Sequence, residues 1–329
     1  MTSRRSRPIL QAAGKMALLS VAMFCIVPAP ASAETITLGT SKTGFLIWLA
    51  DANGYFADEN VSVEVVEVGS GVVAADRVHK GEITFGTSSE FAFTSKIMDA
   101  PGLCIYGTIS ASRTTRLIAR SDRVGPHPRD LASKRIAVTP NGIGQYFLSQ
   151  YLALSELAED QVELVPSKPE EIVTRLASGT VDAGMAWEPH VAAIRKALGP
   201  IALDYPDQAE QYYYFVLHGR CDLSADKANA LRSILRALKR AEQLVEERPD
   251  EAKKVIGRRL QLSPETMAEI WPQHSLTLTL TQDLLSVIES QAEWRIAKEL
   301  STGPIPDTLD VVRIDPLHSV APQAVLIHN

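Results

Sequence analysis

VSVEVVEVGSGVVAADRVHKGEITFGTSSE, residues 61–90, decides the fold class. Val61 to Val68 alternates apolar and polar side chains, the period of a strand with one covered face. Val72 to His79 changes to a helical pattern, Ile83 to Phe85 is a short strand-type run, and Glu90 to Met98 is helical again. Strand, helix, strand, helix at this spacing predicts a parallel sheet covered by helices. The rhythm extends both ways. Upstream lie a strand at Thr35 to Leu38 and a helix at Phe45 to Ala52; downstream, Leu103 to Ile109 reads as a buried strand.

Ser121 to Arg129, with Gly125, Pro126 and Pro128, breaks the pattern and opens a second series. Arg135 to Thr139 is a strand, and Ile143, Phe147, Tyr151 and Leu154 share one helical face. Val162 to Val165, Glu170 to Leu176, Val181 to Met185, Val191 to Leu198 and Ile201 to Asp204 continue the alternation. One more strand, Tyr212 to His218, precedes helices at Ala225 to Glu247, Glu251 to Arg258, Pro264 to Trp271 and Gln282 to Leu300. The Pro-punctuated tail from Gly303 reads as extended. The expected organisation is α/β with two lobes, residues 34–119 plus 213–329 forming the first and 120–212 the second. The chain is expected to cross near Leu117 to Ser121 and to return near Asp204 to Tyr213. Two crossings make a hinge, and hinges accompany clefts that close on ligands.

Residues 1–33 read as a cleaved signal peptide: Arg4, Arg5, Arg7 and Lys15, an apolar run from Met16 to Val27, and the small-residue site Ala31-Ser32-Ala33. That run is too short for the roughly 20 residues of a membrane-spanning helix, and no later run approaches that length. The expected product is exported and periplasmic. Without the leader's four basic residues, the 33 Lys and Arg fall to 29 against 39 Asp and Glu, a net −10. Such a chain, with no basic block, is a poor nucleic-acid binder. Of the remaining cysteines, Cys104 sits in the apolar stretch Leu103 to Tyr106 and reads as a small core residue. Export leaves a bridge to Cys221 open.

No catalytic motif is present: no G-x-S-x-G elbow, phosphate loop or H-E-x-x-H, and no metal-ligand spacing among the histidines and cysteines. Neither a cofactor nor a metal is expected. Four small polar loops stand out instead: Gly39 to Gly44, Gly86 to Ser89, Ile109 to Arg113, and Pro140 to Gln145. In open α/β sheets such loops gather where ligands bind, and hydroxyls with helix-start amides suit an anion. Each loop alone is equally what a helix cap requires. Ala186-Trp187-Glu188-Pro189 follows an apolar strand and opens a helix. Trp187 and Glu188 either face the same cleft or pack as hinge and helix-start residues. Trp48 lies near the first loop and reads as core.

These residues resemble the periplasmic solute-binding proteins of the nitrate/sulfonate/taurine type, which feed ABC importers. The similarity lies in Gly54-Tyr55-Phe56, Gly81 to Gly86, Asp130 to Val138, Ala177 to Ala183 and Trp187-Glu188-Pro189, in the family's order along the chain. The resemblance implies a two-lobed periplasmic-binding-protein fold of the second topology. It also implies a monomeric exported receptor whose partners are a small-molecule ligand and a membrane permease. The ligand-binding candidates are Ser41, Thr43, Gly44, Thr87, Ser88, Ser89, Ser112, Asn141, Gly142, Gln145, Trp187 and Glu188. Thr87-Ser88-Ser89-Glu90 stands where sulfonate-binding members often have Gly or Ala. With Glu90 adding negative charge, a zwitterion or neutral heteroaromatic is expected ahead of a plain anion such as nitrate. Relatives in this broad family bind thiamine-precursor pyrimidines. The alternatives are a sensory protein that presents its closed lobes to a partner, or an enzyme on the same scaffold making a pyrimidine or dehydrating a small acid.

Overall fold

The structure, a computed structural model, describes residues 1–2, 35–205 and 212–327. The leader and its cleavage site therefore lie outside the described residues, Met1 and Thr2 excepted. From Thr35 the chain forms β1 (Ile36–Thr40), α1 (Phe45–Ala52), α2 (Tyr55–Asp58), β2 (Val63–Glu67), α3 (Gly71–His79), β3 (Phe85–Ser89), α4 (Glu90–Asp99) and β4 (Leu103–Ser112). Next come β5 (Thr115–Arg120), β6 (Arg135–Val138), α5 (Ile143–Leu154), β7 (Glu163–Pro166), α6 (Pro169–Ser178), β8 (Ala183–Trp187), α7 (His190–Leu198) and β9 (Ala202–Asp204). β10 (Tyr213–Arg220) follows, then α8 (Ala225–Glu247), α9 (Pro249–Leu260), α10 (Pro264–Ile270), β11 (His274–Ser275) and β12 (Leu280–Thr281). The chain ends with α11 (Gln282–Ala297), α12 (Thr308–Val311), α13 (Ile314–Val320) and β13 (Val325–Leu326).

One large sheet runs β11-β4-β10-β3-β1-β2 and the other β7-β6-β8-β5-β9, and β12 pairs with β13 in a small third sheet. The two large sheets follow one plan. β2, β1 and β3 are parallel and β10 is antiparallel beside them; β7, β6 and β8 are parallel and β5 is antiparallel beside them. Each antiparallel strand is the one the chain uses to enter or re-enter that sheet. β4 ends at Ser112 and β5 starts at Thr115, so the first crossing is Arg113-Thr114, earlier than the sequence places it. The return lies between Asp204 and Tyr213, of which 206–211 are outside the described residues.

Burial explains the elements. β4 is buried along nearly its whole length, so it reads as a continuous apolar run instead of alternating. α1 is buried from Phe45 to Ala50 because α2, α8 and α9 cover it. α8 has a narrower stripe, Leu231, Ile234, Leu235, Leu238 and Ala241, and packs on α1, α2 and α13. Ser224 caps it by accepting from Lys227 N at 3.4 Å.

Three local expectations are corrected. The tail is not extended: α12, α13 and β13 occupy it, and α13 packs on α8 and β4 because Leu317, Ala321 and Val312 are apolar enough to bury. Gly86 to Ser89 and Ile109 to Ser112 are strand, not loop, since both runs pair with β10. Cys104, a core residue with no exposure, is bridged to Cys221 just beyond β10. The β4–β10 ladder, which sets Gly219 opposite Cys104, brings the two Cα atoms to 5.0 Å.

Candidate ligand-binding cleft

Between the sheets lies a small cavity. Ser41 and Thr43 line it from the β1–α1 loop, Ser70, Gly71 and Val72 from the start of α3, and Ser89 and Ala92 from the start of α4. Gly142 and Ile143, at the start of α5, and Trp187, at the end of β8, line the opposite side. Tyr213 and Phe215 of β10 complete it. Helix starts from both sheets therefore converge on one space, as the strand-to-helix connections of α/β sheets require.

The loops are held from behind. Ser41 Oγ and Thr43 Oγ1 are 2.8 Å apart, and Trp48 Nε1 donates to Ser41 O at 3.0 Å. Trp48 is thus core, as read, and also the brace of the first loop. Arg259 stacks over its ring at 4.0 Å. A Cβ on Gly44 would lie 1.9 Å from Thr40 Oγ1, which itself pairs with Thr87 Oγ1 at 2.5 Å. Ser70 and Ser89 cap α3 and α4 by accepting from Val73 N (3.4 Å) and Ala92 N (3.2 Å). α1 and α5 start at Gly44 and Gly142 without any side-chain cap. At the α1 start the Gly44 and Phe45 amides turn back on Ser41 O and Thr43 O, and at the α5 start those of Gly142 and Gln145 on Thr139 O and Gly142 O, which leaves the Ile143 and Gly144 amides with the α5 dipole to favour an acceptor or an anion.

Of the sequence candidates, Ser41, Thr43, Ser89, Gly142 and Trp187 line the cavity. The others stand behind it. Gly44 and Thr87 shape the first loop, and Ser88 is buried against Gly71 with its hydroxyl unpartnered. Ser112 is 2.8 Å from His274 Nδ1. Asn141 N donates to Gln145 Oε1 at 2.8 Å and Asn141 Oδ1 accepts from Arg295 at 2.8 Å, so both side chains order the α5 loop. Glu188 is buried and turned away from the cavity, accepting from Ala192 N at 3.0 Å with Arg195 Nη1 at 3.7 Å. Burial pushes its carboxyl above the usual range. Glu90 adds no charge to the cavity either: fully buried, it accepts from Tyr214 N and Gln291 Nε2 and is pushed up to about 7 by desolvation. A helix-start carboxylate that its own amides can satisfy turns inward.

Sequence reading missed Ser70-Gly71, Tyr213 and Phe215. The signal was present in Gly69-Ser70-Gly71, a turn between strand and helix like the four loops singled out. A Cβ on Gly71 would lie 2.6 Å from Ser88 Cα and 2.7 Å from Ser88 Cβ. Gly71→Ala is therefore expected to cost about 1–3 kcal/mol, because backbone atoms must yield. A thermal melt followed by circular dichroism checks this; an unchanged midpoint would mean the α3 start is not seated against β3.

Tyr213, fully enclosed, lies 2.9 Å from Thr114 Oγ1 and is pushed up to about 12 by burial, so its hydroxyl stays protonated. A second space shares Ser41, Thr43 and Trp187 with the first and adds Lys42, Glu67, Glu170, Pro189 and His190. Trp187 stands edge-on to His190 at 6.1 Å. Burial, with Lys42 nearby, pushes His190 down to about 4, so it is neutral at pH 7. Among the described residues no group of His, Cys, Asp and Glu could hold a metal, and no helix is long and apolar enough to cross a membrane.

Two helix-flanked sheets, each with one antiparallel crossing strand and a cleft between them, define the periplasmic binding protein fold. Within it the family is clear: the NMT1/THI5-like family model matches residues 42–252, and the chain belongs to that family. No curated protein matches the sequence. Among solved structures it is similar to the alkanesulfonate-binding protein SsuA from Xanthomonas axonopodis pv. citri bound to MOPS, at 16% identity and TM-score 0.75, over 87% of this chain and 100% of that one. It is also similar to the desulfurization enzyme DszB, at 18% identity and TM-score 0.67, over 88% of this chain and 99% of that one. A third is a Candida albicans gene product with the generic periplasmic binding protein fold, at 17% identity and TM-score 0.66, over 90% of this chain and 98% of that one. At these identities the likeness concerns the fold.

Proposed function

We propose that this protein is the exported, periplasmic substrate-binding component of an ABC importer, capturing a small organic solute in the cleft and delivering it to a membrane permease. The observation that carries the reading is the lining of the inner cavity. It combines hydroxyls, two uncapped helix starts and an apolar wall of Val72, Ile143, Trp187 and Phe215, with no carboxylate or cation. Such a surface holds an acidic or strongly accepting head group through neutral donors and an organic body through apolar contact. With Glu90 and Glu188 turned away, the argument against an anion falls. An organic sulfonate now leads the candidates, ahead of a taurine-like zwitterion, nitrate or a heteroaromatic. The SsuA neighbour, a sulfonate-binding protein, supports this order.

The DszB neighbour shows that the scaffold also serves an enzyme. Here the inner cavity is lined by no cysteine, histidine or carboxylate, and Cys104 and Cys221 are bridged to each other, which favours binding over turnover. The test is a thermal-shift screen with alkanesulfonates, taurine, nitrate, amino acids and pyrimidines. A true ligand at 100 times its Kd stabilises by about 2.7 kcal/mol. Stabilisation by sulfonates alone supports the proposed order, and a zwitterion or pyrimidine hit replaces it. No shift with any class, or turnover of one of them, overturns the reading.

A further inference from the structure

The largest side chain buried beneath the cleft is a charged one. Arg295, in α11, is 1% exposed. Its Nη1 donates to Ser95 Oγ at 3.0 Å and to Asn141 Oδ1 at 2.8 Å, and its Nη2 to Asp99 Oδ1 and Leu300 O, both at 3.2 Å. Ser95 and Asp99 belong to α4, whose first turn lines the cavity, and α11 packs along α4. Three of the four partners thus lie on the β3–α4 side of the cleft. The fourth, Asn141, lies on the other side, between β6 and α5, directly before Gly142 and Ile143 of the lining. Asn141 has a left-handed backbone, φ 55°, and its N–H is held by Gln145. The neighbouring Trp294 repeats the crossing: its Nε1 donates to Ser149 Oγ of α5 at 3.1 Å, and Tyr146 stands edge-on to its ring at 5.4 Å.

A guanidinium suits this place because its planar fork can face partners on two bodies at once, and a charge kept from water must stay bonded. We propose that Arg295 is a positioning residue of the cleft. Anchored on α4, it grips Asn141, fixes the left-handed turn before Gly142, and so aims the uncapped start of α5 into the cavity. The proposal rests on the cleft being the ligand site and names what assembles its second wall.

The test is hydrogen–deuterium exchange of the ligand-free protein, comparing wild type with Asn141→Gly, which removes the carboxamide while keeping the left-handed backbone accessible. The amides Gln145 to Leu148 near the start of α5 are expected to exchange on the order of tenfold faster, the loss of one charge-assisted hydrogen bond. Amides of α4 and α8 should keep their rates. Arg295→Met should accelerate the same α5 amides, and the double variant should add nothing at them. If Arg295→Met does not fold, Asn141→Gly decides alone. Unchanged exchange at Gln145 to Leu148, or acceleration spread evenly over all three helices, overturns the proposal, the latter because it marks a residue that only stabilises the fold. No ligand enters the measurement, so a silent solute screen counts against the proposed function and leaves this result standing.

Discussion

Replacing Cys104 and Cys221 together by alanine is expected to lower the free energy of unfolding by about 4 kcal/mol. The bridge joins residues separated by 117 positions, and the closed loop contains the entire second sheet with both crossings. Cross-linking a loop of that length removes roughly 5 kcal/mol of chain entropy from the denatured state, and native disulfides typically deliver 2–5 kcal/mol. Urea unfolding of the oxidised protein and the double variant measures the difference. A difference below about 1 kcal/mol would mean that the denatured chain keeps β4 and β10 together without the sulfurs. The cleft should be indifferent to the change. Gly219 faces Cys104 at one end of the β4–β10 ladder, while Tyr213, a cavity residue, faces Ser112 at the other. Loss of stability without loss of any ligand-induced shift separates the two ends of this ladder.

The alternating elements were legible because each is a local pattern. Phe45 to Ala52 and Ala225 to Glu247 have the bounds read from the sequence, and the rhythm from Val61 to Met98 gave the parallel sheet. Trp187, which the sequence left between a cleft wall and a hinge contact, lines the cavity. What stayed hidden depends on distant partners. Gly71 is required by Ser88, which lies in another element. Arg295 reads as an ordinary helix-surface charge, and only the packing of α11 on α4 buries it. Asn141, Gln145 and Glu188 have the right chemistry for a ligand, but neighbouring amides and Arg295 take up their polar atoms first. The crossing at Arg113-Thr114 has no breaker because the chain passes from sheet to sheet nearly as one extended run. Hydrogen-bond competition decides which of these side chains face the cavity.

The same competition has a loser in the core, and it sets a pH limit. His218 of β10 is fully buried, and neither ring nitrogen has a hydrogen-bond partner. Its surroundings are apolar: Phe93 lies 5.9 Å away ring to ring, and a Cβ on Gly86 would lie 2.8 Å from its Cε1. Desolvation pushes its pKa from 6.5 down to about 3. The unfolded chain therefore binds a proton at this position below pH 6.5 while the native protein does not, until about pH 3. Stability from this group is full above 6.5 and falls as pH drops through that window. At pH 5 the loss is about 2 kcal/mol relative to neutral pH. Glu90 works the other way: raised to about 7, it is protonated in the native state before the unfolded one, and so gains stability as pH falls toward 4.5. A pH profile of the wild type alone would blend these two with His190 and His274, both pushed down to about 4. The difference between wild type and His218→Leu cancels the other three and isolates His218. The variant is expected to gain on wild type by about 2 kcal/mol between pH 7 and pH 5, read from urea midpoints at each pH. A gap that stays constant across that range would mean that His218 titrates in the native protein as it does in the unfolded chain, and that the apolar pocket around it admits a charge.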